Sequence, residues 1–145
     1  MSDPEQVTRS VIVKGSVNKL YELWADVEKH PEFSENLKSV TRIDEKMTRW
    51  VMKGPLGKDI SWTTETTRDE QDRRIAWRTL DGDIKTSGQV TFTPLPDDQT
   101  QVTLMMQYVP PAGMVGAALA KTFDNPAGRA EADLYNFKKY AENKA

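Results

Sequence analysis

Hydrophobic and polar positions alternate with a period of two along the middle of this chain, between two stretches where the period lengthens to that of a helix. A first strand is predicted over 7–14, with Val7, Val11 and Val13 on one side and Thr8, Ser10 and Lys14 on the other; Arg9 and Ile12 break the pattern. Gly15-Ser16 punctuates, and Ser16 suits a helix N-cap. Val17, Leu20, Tyr21, Trp24 and Val27 then follow helical spacing, a face that packs into a core. Pro31 is expected to stop any continuation and to start a short turn through Phe33.

Six further strands are predicted, over 38–44, 48–53, 59–68, 73–79, 84–93 and 100–109. The breaks between the later ones are turn-forming clusters: Gly54-Pro55-Leu56-Gly57, Asp69-Glu70-Gln71-Asp72, Asp81-Gly82-Asp83 and Pro94-Leu95-Pro96-Asp97-Asp98. Connections this short imply antiparallel neighbours. Alternation also selects a face. Trp50 and Met52 share parity, as do Ile60, Trp62, Thr64 and Thr66, then Ile75 and Trp77, Val90 and Phe92, and Val102, Leu104, Met106 and Tyr108. The opposite parity carries Lys53, Ser61, Thr63, Glu65, Arg74, Arg78, Gln89, Thr91, Thr103 and Gln107, the pattern of a sheet with one wet and one covered face.

After the last strand, Tyr108-Val109-Pro110-Pro111-Ala112-Gly113 reads as a stiff exit. The segment from Met114 to Phe123 is apolar on too many sides for an ordinary surface helix. Pro126 then restarts a helix whose stripe is Ala130, Leu134, Phe137 and Ala141. The expected fold is α+β: a seven-stranded curved antiparallel sheet wrapped around a long C-terminal helix, with one or two short helices between strands 1 and 2. Residues 1–145 make one domain, with no repeat or linker.

Composition mainly excludes. Twenty basic against 22 acidic residues leave a net charge of -2, which gives no general pull toward nucleic acid or anionic membrane. There is no Cys and one His, so disulfides, thiolate metal sites and His-rich metal centres are ruled out, and no metal site is expected. The N-terminus lacks a signal-peptide pattern, and no apolar run approaches the ~20 residues of a membrane-spanning helix. The expectation is a cytoplasmic protein.

Candidate chemistry is sparse. The covered face holds three of the four Trp residues, laced with the hydroxyls of Thr64, Thr66 and Tyr108, a mixture suited to lining an apolar ligand cavity; a solid core with edge threonines is the alternative. His30 precedes Pro31 in a predicted loop, with no Ser or acid partner by spacing, and reads as solvent-exposed or capping. Glu65 and Arg78 read as a surface cross-strand ion pair. Phosphate-loop, dinucleotide, paired-carboxylate and metal-ligand spacings are absent, and no cofactor is implied.

A set of local sequences spread over nearly the whole chain resembles a known family. These are Leu23-Trp24-Ala25-Asp26, His30-Pro31-Glu32-Phe33, Trp50, Ile60-Ser61-Trp62-Thr63-Thr64-Glu65 and Arg74-Ile75-Ala76-Trp77-Arg78. Gly88-Gln89-Val90-Thr91-Phe92, Thr100-Gln101-Val102-Thr103-Leu104, Tyr108-Val109-Pro110-Pro111 and Asp133-Leu134-Tyr135-Asn136-Phe137-Lys138 complete it. The chain resembles the polyketide cyclase/dehydrase family of the START-like (helix-grip, SRPBCC) superfamily. The resemblance implies the helix-grip fold and a cavity between sheet and C-terminal helix. Superfamily members bind lipids, sterols, quinones, plant hormones and polyketides there, and some are cyclases or dehydratases. Their catalytic residues vary from branch to branch, so none carries over.

The resulting expectation is a protein that binds or transfers a lipophilic small molecule: a lipid, a quinone or a polyketide-like compound. Its cavity is expected to be lined by Trp50, Met52, Trp62, Thr64, Trp77, Phe92, Met106, Tyr108, Leu119 and Phe123. The alternatives are a cyclase/dehydratase-type enzyme using the same cavity, and an interaction module working through the segment from Met114 to Phe123. That segment is also expected to cover the cavity mouth, hinged near Gly113 and Pro126, with transient membrane contact. A monomer or weak dimer that does not bind nucleic acid completes the reading.

Overall fold

The computed structural model describes residues 5–34, 37–54, 57–109 and 126–144. The segment from Met114 to Phe123, with the lid and interaction readings placed on it, lies outside the described residues. Strand β1 is Glu5–Lys14, followed by helix α1, Val17–Ala25, and a 3₁₀ helix, Val27–Glu32. Strands β2 (Leu37–Arg42), β3 (Met47–Lys53), β4 (Asp59–Glu70), β5 (Arg74–Gly82), β6 (Lys85–Leu95) and β7 (Gln99–Val109) come next, and helix α2 is Pro126–Asn143. The seven strands form one curved sheet in the order β1-β7-β6-β5-β4-β3-β2, and every neighbouring pair is antiparallel. Successive strands from β2 to β7 are therefore hairpin neighbours. Only β1 pairs out of order, closing against β7 with Val13 opposite Thr100.

Local chemistry explains the element ends. The Ser16 side chain caps α1 by accepting the Lys19 backbone N–H at 3.3 Å. Pro31 does not stop the coil, contrary to the expectation from sequence; it sits inside the 3₁₀ helix. There the bonds run three residues back, Lys29 N–H to Asp26 and Phe33 N–H to His30, so the missing Pro31 donor breaks no α-helical ladder. The tight turns use residues that tolerate the left-handed region: Asp72 (φ 62°) between β4 and β5, and Asp97 (φ 62°) and Asp98 (φ 56°) between β6 and β7.

Helix α1 is tied to the β4–β5 turn by two side chains. The Tyr21 hydroxyl donates to Asp69, and Asn18 Nδ2 donates to Asp72 at 3.0 Å. Burial first, then the Asp69 hydrogen bond and the charges of Asp69 and Asp72, push the Tyr21 phenol up to about 12, so it stays a donor.

Helix α2 presents Ala130, Leu134, Phe137 and Ala141, all essentially fully buried, at the spacing of one helical stripe. The Phe137 ring lies edge-on to Trp24 at 5.0 Å and to Phe33 at 5.3 Å, joining α2, α1 and the end of the 3₁₀ helix in one core. Val13, Val90, Phe92, Val102 and Leu104 supply its sheet side. A second, smaller cluster of Met52, Ile60, Trp62 and Ile84 sits toward β3 and β4.

The two sheet edges are covered by side chains. On β1, Lys138 Nζ donates to the Ile12 carbonyl at 2.9 Å, the Lys14 N–H donates to Glu142 at 3.0 Å, and Arg9 pairs with Glu131 at 2.7 Å. On β2, the Arg42 N–H donates to Glu28 of the 3₁₀ helix at 3.0 Å.

Candidate ligand-binding site

Between the two apolar clusters the sheet face is not filled. A cavity of about 230 Å³ opens there, floored by β3 to β7 and bounded by the 3₁₀ helix and by Ala130 and Asp133 of α2. Alternation in the strands places its large side chains. Trp50 and Trp62 are direct cross-strand partners, and their indoles stack with centroids 6.2 Å apart and planes 7° from parallel. Met52, Ile75, Trp77 and Met106 continue the apolar wall. Trp77 faces Gly88 across β5–β6, and a Cβ at Gly88 would lie 3.1 Å from Trp77 Cζ2 and 2.3 Å from the Met105 carbonyl oxygen. The bare strand at Gly88 is what lets the Trp77 indole lie down on it.

The polar points are few. Trp50 Nε1 donates to Thr64 Oγ1 at 2.8 Å, which occupies the threonine as an acceptor and leaves its own proton to give. Thr48, opposite Thr64, and Thr66 add hydroxyls to the wall. Thr86 Oγ1 is buried with no hydrogen-bond partner among the described residues, although the Thr86 backbone is held on both sides by Thr79 Oγ1 at 2.8 Å. At the α2 end, Ser34 Oγ donates to Asp133 Oδ1 at 3.1 Å.

His30 is the main departure from the sequence reading. It is neither exposed nor a cap: it is 6% exposed and lines the cavity. Its ring is edged by Trp24 at 5.1 Å, Phe33 at 4.9 Å and Trp50 at 5.5 Å. Nε2 lies 2.8 Å from the Trp24 carbonyl oxygen, and a carbonyl only accepts, so Nε2 carries the proton. Burial is the largest influence on the imidazole and lowers it to about 4, against the opposing pull of the Trp24 carbonyl and the Asp26 charge. It is neutral at ordinary pH.

Of the residues named from sequence, Trp50, Met52, Trp62, Thr64, Trp77 and Met106 come together around this one cavity. Phe92 does not: it is 2% exposed in the main core, with its ring 6.0 Å from Tyr21. Its parity is right, but it sits at the end of β6 that α1 covers. The Tyr108 side chain, Leu119 and Phe123 lie outside the described residues. Glu65 and Arg78 stand opposite each other on the outer face, with Arg78 Nε donating to Glu65 at 3.0 Å, away from the cavity. Lining residues that the expected cavity list left out include Trp24, His30, Phe33, Leu37, Thr48, Ile84 and Thr86. Ile84 shares the parity of Val90 and Phe92 in the strand predicted over 84–93, and that signal was available.

With this geometry in place, comparison with known proteins decides the family. A family model described as polyketide cyclase / dehydrase and lipid transport matches residues 13–134. The chain belongs to that family. A crystal structure from Deinococcus radiodurans shares 32% identity at a TM-score of 0.76, over 97% of this chain and 99% of that one. The Zhui aromatase/cyclase of Streptomyces sp. R1128 superposes with a TM-score of 0.81 at 21% identity, covering 98% of this chain and 96% of its own, a likeness of fold. A START superfamily protein of Mycobacterium smegmatis has the same fold, with a TM-score of 0.73 at 16% identity, over 93% and 98% of the two chains. Among curated relatives, an uncharacterised protein of Streptomyces lincolnensis is 29% identical over 96% of this chain and 91% of its own. The ribosome association toxin RatA of Vibrio cholerae is 28% identical over 83% of this chain and 85% of its own. The chain has the α+β helix-grip fold expected from the sequence, the fold it shares with these solved structures. No helix among the described residues is long and apolar enough to cross a membrane.

Proposed function

We propose that this chain binds a compact lipophilic small molecule in the cavity between its sheet and α2. The observation that carries the reading is the cavity wall: four indoles, two methionines and two isoleucines around about 230 Å³, with single hydroxyls spaced among them. Pockets that hold small molecules have this make-up, apolar walls with a few placed polar groups, and span roughly 300–1,000 Å³. A cavity somewhat below that range suits a mono- or bicyclic ring system better than a long acyl chain. The family description, which names both cyclase/dehydrase and lipid transport, supports a lipophilic ligand. Binding rather than chemistry is favoured by the ionisable groups present. Among the described residues, those lining the cavity are Asp133, which accepts from Ser34, and His30, whose one N–H is committed to Trp24.

The test is titration with a bicyclic aromatic probe, 2-methylnaphthalene, read through tryptophan emission and calorimetry. Saturable binding at one site is expected, weakened at least tenfold by Trp62→Ala if that variant still unfolds cooperatively. Absence of any saturable binding by probes of this class sinks the reading. So does binding indifferent to both Trp62→Ala and Trp77→Ala.

A further inference from the structure

His30 is a polar side chain built into an otherwise aromatic corner of the cavity, and only half of its hydrogen-bonding capacity is used. Nε2–H is spent on the Trp24 carbonyl at 2.8 Å, which fixes the tautomer and leaves Nδ1 as a bare lone pair. Among the described residues no protein donor reaches Nδ1. The three rings around it do not supply one: the Phe33 side chain has no polar atom, Trp50 gives its indole N–H to Thr64 at 2.8 Å, and the hydrogen bond between the imidazole and Trp24 is the one from Nε2 to the carbonyl. An acceptor that no protein group satisfies is open to a hydrogen bond from a guest that brings a donor.

We propose that His30 determines specificity in this cavity, its Nδ1 accepting a hydrogen bond from a hydroxyl of an otherwise apolar ring ligand. The inference rests on the ligand-binding reading and narrows it, from lipophilic molecules in general to phenols and alcohols. A hydroxyl suits the place for three reasons. It donates one proton to Nδ1. Its oxygen can accept in turn from a wall hydroxyl such as that of Thr64, whose proton is unassigned once its oxygen has taken the Trp50 N–H. Its ring fits against the stacked Trp50 and Trp62 indoles, with centroids 6.2 Å apart. The imidazole, lowered to about 4, is too weak a base to take a phenol proton, so the contact holds the ligand without ionising it. A ligand offering only a carbonyl or an ether at this corner would put acceptor against acceptor and be rejected.

The chain has one histidine, so the imidazole nitrogens can be observed without assignment ambiguity. Protein labelled with ¹⁵N-histidine is titrated with 2-naphthol and with 2-methylnaphthalene, and binding is followed separately through tryptophan emission. The expected result is an Nδ1 resonance that begins at the position of an unprotonated acceptor and moves upfield with 2-naphthol but not with 2-methylnaphthalene. Nε2 should stay protonated throughout. The naphthol should bind at least tenfold tighter than the methyl compound, and His30→Phe should abolish that preference. If both probes bind and Nδ1 moves with neither, His30 is a structural residue and the proposal is overturned while the binding reading stands. If neither probe binds, both fall together. Should His30→Phe not fold, the wild-type resonance alone decides.

Discussion

Lowering the pH should destabilise this fold through His30 in a defined window. Free imidazole protonates near 6.5, but the buried ring does so only at about 4. Between those values the unfolded chain binds a proton that the folded chain refuses. Stability from this group is therefore complete above about pH 6.5, falls as pH drops toward about 4, and is constant below it. The gap, at about 1.36 kcal/mol per pH unit, amounts to about 3 kcal/mol, a large share of what a single domain commands. Urea unfolding followed by tryptophan emission measures it, at several pH values from about 7 to about 4. Carboxylates titrate in part of the same range, so the informative quantity is the difference between wild type and His30→Phe. The variant leaves the Trp24 carbonyl without its donor and should be the less stable protein at pH 7. Its disadvantage should shrink, and reverse or vanish, by about pH 4.5. The single histidine should titrate by NMR near 4 in the folded protein. A midpoint near 6.5 in the native state, or stability curves for the two proteins that run parallel across the window, would show that the ring is not held in the desolvated site described.

Two other expectations follow from particular contacts. Gly88→Ala forces a methyl group to 2.3 Å from the Met105 carbonyl oxygen and 3.1 Å from Trp77, so it should part β6 from β7 and cost about 1–3 kcal/mol; thermal melts give the loss, and an unchanged Tm with unchanged Trp emission would mean the strand absorbs the methyl freely. Ser16→Ala removes the acceptor for the Lys19 N–H and should cost about 1 kcal/mol in urea unfolding, with Ser16→Asp close to wild type; equal losses in both would show that capping is not the cause.

The sheet was legible because its strands are separated by Gly, Pro and Asp clusters and because alternation runs cleanly from Trp50 to Leu104. Parity identifies a face, however, and not a position along it. Phe92 and Thr86 lie on the same face of the same strand, yet one packs under α1 against Tyr21 and the other reaches the cavity. Nothing in a period of two separates them, since the difference is set by where the helices stop. The slip in the β4–β5 register was also invisible: Thr63 pairs with Asp81 and Thr64 with Thr79, so Leu80 is the extra residue of a bulge on β5. His30 was misread for a related reason. A histidine before a proline in a short connection usually faces water. Its burial depends on Trp50, far along the chain, folding over it, and on the carbonyl of Trp24 arriving at Nε2, neither of which has a local signature.

The cover on β1 constrains how a guest molecule gets in. Helix α2 is both a wall of the cavity and, through Lys138, Glu142 and Glu131, the cap on the outermost strand. Swinging it outward to admit a ligand would strip those groups in the same motion and leave a template for strand pairing with a neighbouring molecule. Ligand exchange by that route and self-association would rise together, and both would depend on salt, because the clasps are charged. The geometry thus penalises movement of this helix twice.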